Sequence, residues 1–528
     1  MKRLPRIKGQ QDGFAMILVL STIVVFTILF VAVATVVGTN YTVVGNNNKS
    51  QKAFNIAEAG INYYLWHLSH NPTDFKDGKT TPATPDPTLG YGPYVHDYID
   101  NDAKKTGTYT LWINPVNNGS SVIKVRAIGR EDKSGITRTI EAQIGAPSFA
   151  SYAVVSDTAL WFGNNESASG PVHSNQGVRM DGASTSDVTS SNATYVPPSN
   201  LGGNGSTSRP GVWCNSSVIS PVNCNTRNKT DWRFPAPSVD FNQVSADLCS
   251  MKKTAFSSDA STSSLAGQSN ACSQVPNTRT SSYLPQRATN GSYNQSRGYL
   301  VQLNPNGTYD LFNVNGESDR LTPYTSALTL QSVVTGVAIP SSGVIFAEDN
   351  VWVRSNPTFS GRVTIAAGRL ATNNTADIII ADDIVYGTKS GADAIGLVAE
   401  DSVILAPYAP PTTSSFSFEV DAAVIAQAGP VSYPSTYRSV STCTRGWVGA
   451  NQQFNFYGSV ATRQIWTWTI QRGSSCGDSV RNSAGNYISG VDHNSTQYDY
   501  NLLYGPPPSF PTTSSYNILG WREVLAHP

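Results

Sequence analysis

The apolar and polar positions along the chain fall into three regimes. From Phe14 to Val37 the sequence runs FAMILVLSTIVVFTILFVAVATVV, 24 residues without a charge. As a helix this run measures about 36 Å, enough to cross a hydrocarbon core of about 30 Å. After Gly38 and the polar stretch Asn46–Lys49, the residues Ala53, Ile56, Ala57, Ile61, Tyr64, Leu65 and Leu68 recur mostly three and four apart. That spacing draws an apolar stripe on a second length of helix. Continuous helix to Leu68 would reach on the order of 80 Å, with Gly38, Gly45 and the Asn run as points of local melting.

The second regime alternates. Asn71–Tyr94 is rich in Pro, Thr, Gly and Asp and reads as a loop. Gly107–Asn114, Ser121–Arg130 and Gly135–Ile144 then show strand periodicity, with turns at Asn117–Gly119 and Asp132–Gly135. A long helix followed by a small antiparallel sheet is expected over 71–147. The third regime begins near Ser148, where short apolar bursts stand in a Ser/Thr/Asn/Gly background. VIFAEDNVWV at Val344, IIIADDIVYG at Ile378 and LVAEDSVIL at Leu397 repeat one pattern, with weaker copies at Gly170 and Ala423. Strand, acidic corner, strand predicts a parallel β-helix (β-solenoid) over 148–430, carrying a disulfide-stapled insertion at about 190–330; a β-sandwich is the alternative. The acid pairs are unevenly spaced, which inserted loops explain. A C-terminal segment, 431–528, contains the stiff Pro506–Pro508 run with Phe510, Tyr516 and Trp521, and is expected to cover an open solenoid edge. The fold class is α+β, mostly β.

Charge and cysteine usage narrow the functions. Charged residues are 14% of the chain and the net charge is zero, against roughly 25% charged in soluble domains. No basic stripe follows the first residues, so no nucleic-acid partner is indicated. The six cysteines, Cys214, Cys224, Cys249, Cys272, Cys443 and Cys476, form three sequence-local pairs with no CxxC. Six cysteines permit about 15 connectivities; nearest-neighbour pairing is the disulfide reading for an exported chain, and six unpaired buried thiols is the alternative. Lys2, Arg3, Arg6 and Lys8 precede the apolar run and predict a cytoplasmic N-terminus with the bulk exported.

The basic leader of residues 1–13, Gly13–Phe14, the apolar run over 14–70 and QKAFNIAEAGINYYL at Gln51–Leu65 together resemble the PilX N-terminal family of type IV pilin-like minor pilins and pilus assembly proteins. The element most particular to that family is Ala57–Glu58–Ala59–Gly60. The resemblance covers about the first 70 residues. It implies cleavage between Gly13 and Phe14 by a prepilin peptidase, an inner-membrane location, and other pilin subunits as partners through the helix. It also implies display of the β-rich head, at the membrane or on an extracellular pilus, toward a surface ligand. One departure is Leu18, where a major pilin would carry a glutamate five residues into the mature chain; this points to a minor or tip subunit.

Candidate chemistry is thin. Glu348/Asp349, Asp382/Asp383 and Glu400/Asp401 could bind a hard cation or act on sugars, but no calcium-loop glycine spacing accompanies them, and they are read as corner residues facing water. His67 and His70 have no third ligand partner and are read as solvent-facing residues near a helix end. No GxSxG, HExxH, Walker A or dinucleotide motif is present. Trp161, Trp213, Trp232, Trp352, Trp447, Trp466 and Trp468 are read chiefly as core. The expectation is a pilus-associated structural protein, not an enzyme, with no cofactor, catalytic residue or metal. An uncleaved membrane-anchored adhesin and a β-helix polysaccharide enzyme are the alternatives.

Overall fold

The computed structural model describes residues 12–70, 74–79, 85–115, 122–145, 147–164, 166–215, 229–257, 271–287, 297–317, 327–409, 416–437, 443–449, 451–474, 479–513 and 516–525. The apolar run and the amphipathic stripe form one helix, α1, Asp12–His70, of 59 residues. It does not break at Gly38, Gly45 or the Asn run. Each glycine costs about 1 kcal/mol relative to alanine, less than opening a helix and leaving several main-chain groups unpaired. Thr35, Thr39 and Thr42 donate their hydroxyls to carbonyls one turn back, at 2.7–2.9 Å.

The small unit comprises residues 1–114, 124–143 and 520–528. Its sheet has five strands in the order β1 (Tyr91–Ile99), β2 (Lys105–Pro115), β3 (Val122–Glu131), β4 (Thr137–Gly145) and β5 (Asn517–Val524). Three of these match the alternating runs in the sequence. The stretch expected as loop, Asn71–Tyr94, overlaps the start of β1 at Tyr91–Tyr94; β1 pairs antiparallel with β2, with an irregularity after Tyr91 at Gly92–Pro93. β5 was expected to cover the solenoid. It instead pairs with β4, its partner across nearly the whole chain. Ala53, Ile56, Ala57, Ile61, Tyr64 and Leu68 of α1 are buried, as are Tyr109, Leu111, Ile113, Val125, Ala127, Ile140, Ala142 and Ile144 of the sheet. Each large apolar side chain so buried contributes on the order of 1.5–3 kcal/mol.

The large unit, 115–123 and 144–519, is built on two walls, the first wholly parallel and the second parallel except at the edge formed by Gly298–Leu303, Thr308–Glu317 and Leu328–Ala338. Among the described residues the first sheet has 11 strands and the second has 8. The chain enters the first sheet at its middle, Val154–Ser156, and proceeds through Val172–Ser174 and Val188–Ser190 to Trp232–Arg233 at one edge. It re-enters at the opposite edge with Tyr283–Leu284 and returns through Val344–Ala347, Arg362–Ala367, Ala394–Ala399 and Phe416–Ala426. Gln452–Thr462 closes the seam by pairing parallel with Val154–Ser156. One inward column therefore reads Ile345, Ile365, Leu397, Val424, Val460, Val154, Val172, Val188. All eight are buried in one core. This register places parallel strands of a large β-rich unit one on another.

The same registers explain the uneven repeat. Ala347, Ala367, Ala399 and Ala426 occupy one column, so Glu348/Asp349 and Glu400/Asp401 occupy one corner two coils apart, with Gly368/Arg369 between them. The Ile378 copy lies on the second wall, aligned with Val351 and Val403. Its acids, Asp382 and Asp383, mark a different corner. The outer face of the first sheet is covered too: Val244, Leu248 and Met251 of helix α2 (Gln243–Ser257) share a cluster with Phe346, Ala366, Val398, Leu502 and Phe510.

Candidate functional site

The site that the sequence singles out is α1, and its two halves differ. Across the apolar run no window of the helix is buried; Phe26 and Phe30 are each about three-quarters exposed. The helix is long and apolar enough to cross a membrane. The hydroxyls of Ser21, Thr22 and Thr27 bond back to carbonyls of the same helix at 2.7–2.9 Å, so no side-chain polarity is left over in this run. Gly13 is helical, and Phe14 is exposed at the start of the run. Leader residues 1–11 lie outside the described residues. Leu18 is exposed in the uncharged face.

The other half of α1 is a seat cut for close approach. A Cβ at Gly129 of β3 would meet the Ala53 carbonyl at 2.2 Å and the Ala57 nitrogen at 2.3 Å. A Cβ at Gly60 would meet the Tyr109 ring at 2.9 Å and the Ala127 methyl at 3.3 Å. Ala53, Ala57 and Gly60 fall on one helix face by their spacing. The small residues of the Ala57–Gly60 element are therefore set by backbone-to-backbone packing of helix on sheet. Glu58 of the same element faces solvent.

A polar lock closes the far end of the helix. Asp74 accepts main-chain N–H groups of Lys76 and Gly78 at 2.8 and 2.7 Å and pairs with His67 at 3.0 Å. Burial opposes charge on Asp74, but these donors more than offset it and hold the carboxyl below its ordinary range. Asp77, buried and left-handed at φ 53°, accepts Tyr63 Oη at 3.1 Å and pairs with His96 at 2.8 Å. A non-glycine residue holds that conformation only where tertiary contacts impose it. Burial and the nearby Asp77 push the Tyr63 phenol up to about 12. The reading of His67 as solvent-facing is thus corrected: it is buried and paired, while His70 is exposed, Nδ1 lying 2.8 Å from the Trp66 carbonyl oxygen.

The repeated acids require a similar correction. Glu348 and Asp349 are buried, not facing water, because each has a cation partner, Lys252 and Arg369 respectively. Arg369 also donates its main-chain N–H to Glu400 at 2.6 Å, and Asp401 accepts Thr375 Oγ1 at 2.7 Å. Asp383 accepts the Glu419 N–H at 2.8 Å, and burial pushes its carboxyl up to about 6. Among the described residues no three His, Cys, Asp or Glu side chains converge as a metal site. Cys249 and Cys272 form a disulfide with Cα atoms 5.4 Å apart. Cys214 and Cys443 are disulfide-bonded, and Cys224 and Cys476 lie outside the described residues. Of the tryptophans, Trp213, Trp352, Trp447 and Trp468 are buried, whereas Trp161 is over a third exposed. Sequence reasoning missed Lys252, whose burial has no local sequence signal.

No protein-family model matches the chain, and no curated protein matches it. Among solved structures it is similar to the competence-associated pilin ComZ from Thermus thermophilus, at 12% identity and a TM-score of 0.28, over 91% of this chain and 98% of that one. The N-terminal apolar helix is by itself compatible with membrane anchoring.

Proposed function

We propose that this protein is a type IV pilin-like subunit of the PilX N-terminal kind, a minor pilin or pilus assembly protein and not an enzyme. One observation carries the reading: a single helix is uncharged and exposed from Phe14 to Val37, and its C-terminal half is seated in a small β-sheet unit. Such an exposed half has two uses in this reading. It spans the inner membrane with the leader inside, and it packs among other pilin helices through van der Waals contact, since lipid offers no hydrophobic drive. Prepilin peptidase cleaves between Gly13 and Phe14. The absence of a charge at Leu18 suits a terminal position in a filament, where no neighbour's amino terminus needs a carboxylate partner. The β-rich large unit is the displayed head, serving adhesion or assembly through a surface ligand.

The test is the N-terminal residue of the native chain in membrane and sheared-surface fractions, read by mass spectrometry. Chains that begin at Phe14 and are released with filaments support the proposal. Chains that keep Met1–Gly13 and occur only in membranes sink it and leave an anchored surface protein.

A further inference from the structure

Helix α2 of the large unit buries a lysine. Lys252 is fully inaccessible, and its ammonium donates to the Cys272 carbonyl at 3.1 Å, to the Gln274 carbonyl, and to the Glu348 carboxylate with which it pairs. An ammonium has three donors, and these acceptors take all of them. Glu348 also accepts Tyr283 Oη at 3.3 Å, and burial pushes its carboxyl up to about 7 against the pull of Lys252. Removing one side of such a buried arrangement costs more than the intact arrangement contributes, because a charge is left without compensation.

Two of the three acceptors belong to the Ala271–Gln274 segment. The Cys249–Cys272 disulfide ties that segment to α2. Cys249 and Lys252 are three residues apart on one helix, so they share a face. Cys272 therefore binds α2 twice, through Sγ to Cys249 and through its carbonyl to Lys252. The helix held in this way buries Val244, Leu248 and Met251 in the cluster that covers Phe346, Ala366 and Val398.

We propose that the Cys249–Cys272 disulfide is a redox latch that holds α2 over the first parallel sheet by fixing the two carbonyls that, beside Glu348, accept the donors of the buried Lys252 ammonium. Closing the latch oxidises two thiols to one S–S bond by exchange with a disulfide donor, which leaves as its dithiol; a dithiol reductant reverses both changes. With the latch open, the carbonyls are free to leave, two of the three donors of the buried Lys252 ammonium lose their acceptors and only Glu348 remains, and α2 lifts from the sheet. The large unit would then stay open in a reducing compartment and close on reaching an oxidising one. That biological sense rests on the exported reading; the latch itself does not, so its failure and the failure of that reading are separate results.

The experiment is hydrogen exchange by mass spectrometry on four full-length chains in detergent: wild type, C249S/C272S, K252M/E348L, and all four substitutions combined. Losing the disulfide is expected to speed exchange across 243–257 about tenfold or more in the wild-type background, the effect of orphaning buried donors. In the K252M/E348L background it should do so by less than about threefold, since no charge is left to strand. Exchange across 122–145 should not change. Equal effects in both backgrounds would overturn the latch and leave the disulfide a simple tether; no effect in the wild-type background would also overturn it. Amine labelling of folded wild type before and after reduction provides a second arm that needs no variant. Lys252 should be protected when oxidised and labelled when reduced, and protection that survives reduction refutes the proposal.

Discussion

Replacing Gly129 by alanine adds one methyl group at the point where β3 meets α1. That methyl carbon would stand 2.2 Å from the Ala53 carbonyl oxygen and 2.3 Å from the Ala57 nitrogen. Both atoms are main chain, so no rotamer change can make room. Ordinary contact begins near 3.4 Å, and α1 must retreat by about 1 Å along the strip where Ile56, Ile61 and Tyr64 are packed. Overpacking costs typically 1–3 kcal/mol, and a clash against rigid backbone on both sides belongs at about 3 kcal/mol. Gly45→Ala is the opposite case: nothing lies within 4 Å of its added methyl, and it should stabilise α1 by about 0.5–1 kcal/mol. Because the chain has two units, a single unfolding free energy is not defined, and native-state hydrogen exchange is the suitable assay. A loss of about 3 kcal/mol reads as exchange on the order of a hundredfold faster across 53–68 and 122–131. Gly129→Ala exchange within threefold of wild type would refute the close-approach account of the small-residue face.

The two units should respond to pH in opposite directions. Asp74 and Glu141 of the small unit have carboxyl groups held below their ordinary range: burial opposes this, but main-chain donors and His67 outweigh it at the first, and Arg522 and Arg126 at the second. Their contribution is complete above pH about 4.5 and is lost as pH falls further, so exchange across 122–145 should quicken on acidification. Glu348 and Asp383 of the large unit are pushed up, chiefly by burial, to about 7 and about 6. Their contribution is complete below pH about 4 and is lost as pH rises to 7, so exchange across 344–349 and 378–384, corrected for its intrinsic pH dependence, should be slower at pH 5 than at pH 7.5; the reverse ordering would show that burial does not dominate there. Ile365→Ala, in the inward column between Ile345 and Leu397, should cost about 2–5 kcal/mol, read as a lowered denaturant midpoint for the large unit. Ending the chain after Thr513 removes β5 with the Arg522–Glu141 and Arg138–Glu523 pairs. It should increase proteolysis of the β4 edge while leaving the large unit's core exchange unchanged.

How much was legible in the sequence follows from the range of each interaction. The helix was legible because its periodicity is carried by neighbours three and four residues apart, and the seat was legible as the stripe from Ala53 to Leu68. β2, β3 and β4 were legible because their alternation is local. What the sequence could not show was the pairing partner of a strand. NILGWREV at Asn517 has weak alternation, and nothing in it points to β4. The acid repeat was visible, but its split between two walls was not, because register is decided by inserted loops whose lengths vary from coil to coil. His67, Glu348 and Asp349 were misread for one common reason: a charged residue is expected outside unless its partner is known, and Asp74, Lys252 and Arg369 reach them only in the fold.

The position of β5 bears on how such a chain can be made. The small sheet is finished only when β5 joins β4, and all of the large unit except 115–123 lies between those two neighbours in sequence. Within the large unit the outgoing and returning segments run side by side. Phe149 donates its N–H to the Pro511 carbonyl at 3.0 Å, and Ser148 bridges to Thr512. The two points of insertion are thus adjacent, so the small sheet can accept a large or small domain there without changing its own register. The added closure entropy grows only slowly with the size of the insertion. The consequence is directional. The face of β5 carries Trp521 against Phe54 at 6.0 Å and Glu523 against Arg138, which itself lies over Phe54 at 5.8 Å. These contacts complete the seat of α1, the element on which the proposed function depends. A chain truncated anywhere in the large unit leaves that seat with an open edge, so only a chain made through β5 presents a finished helix-bearing unit.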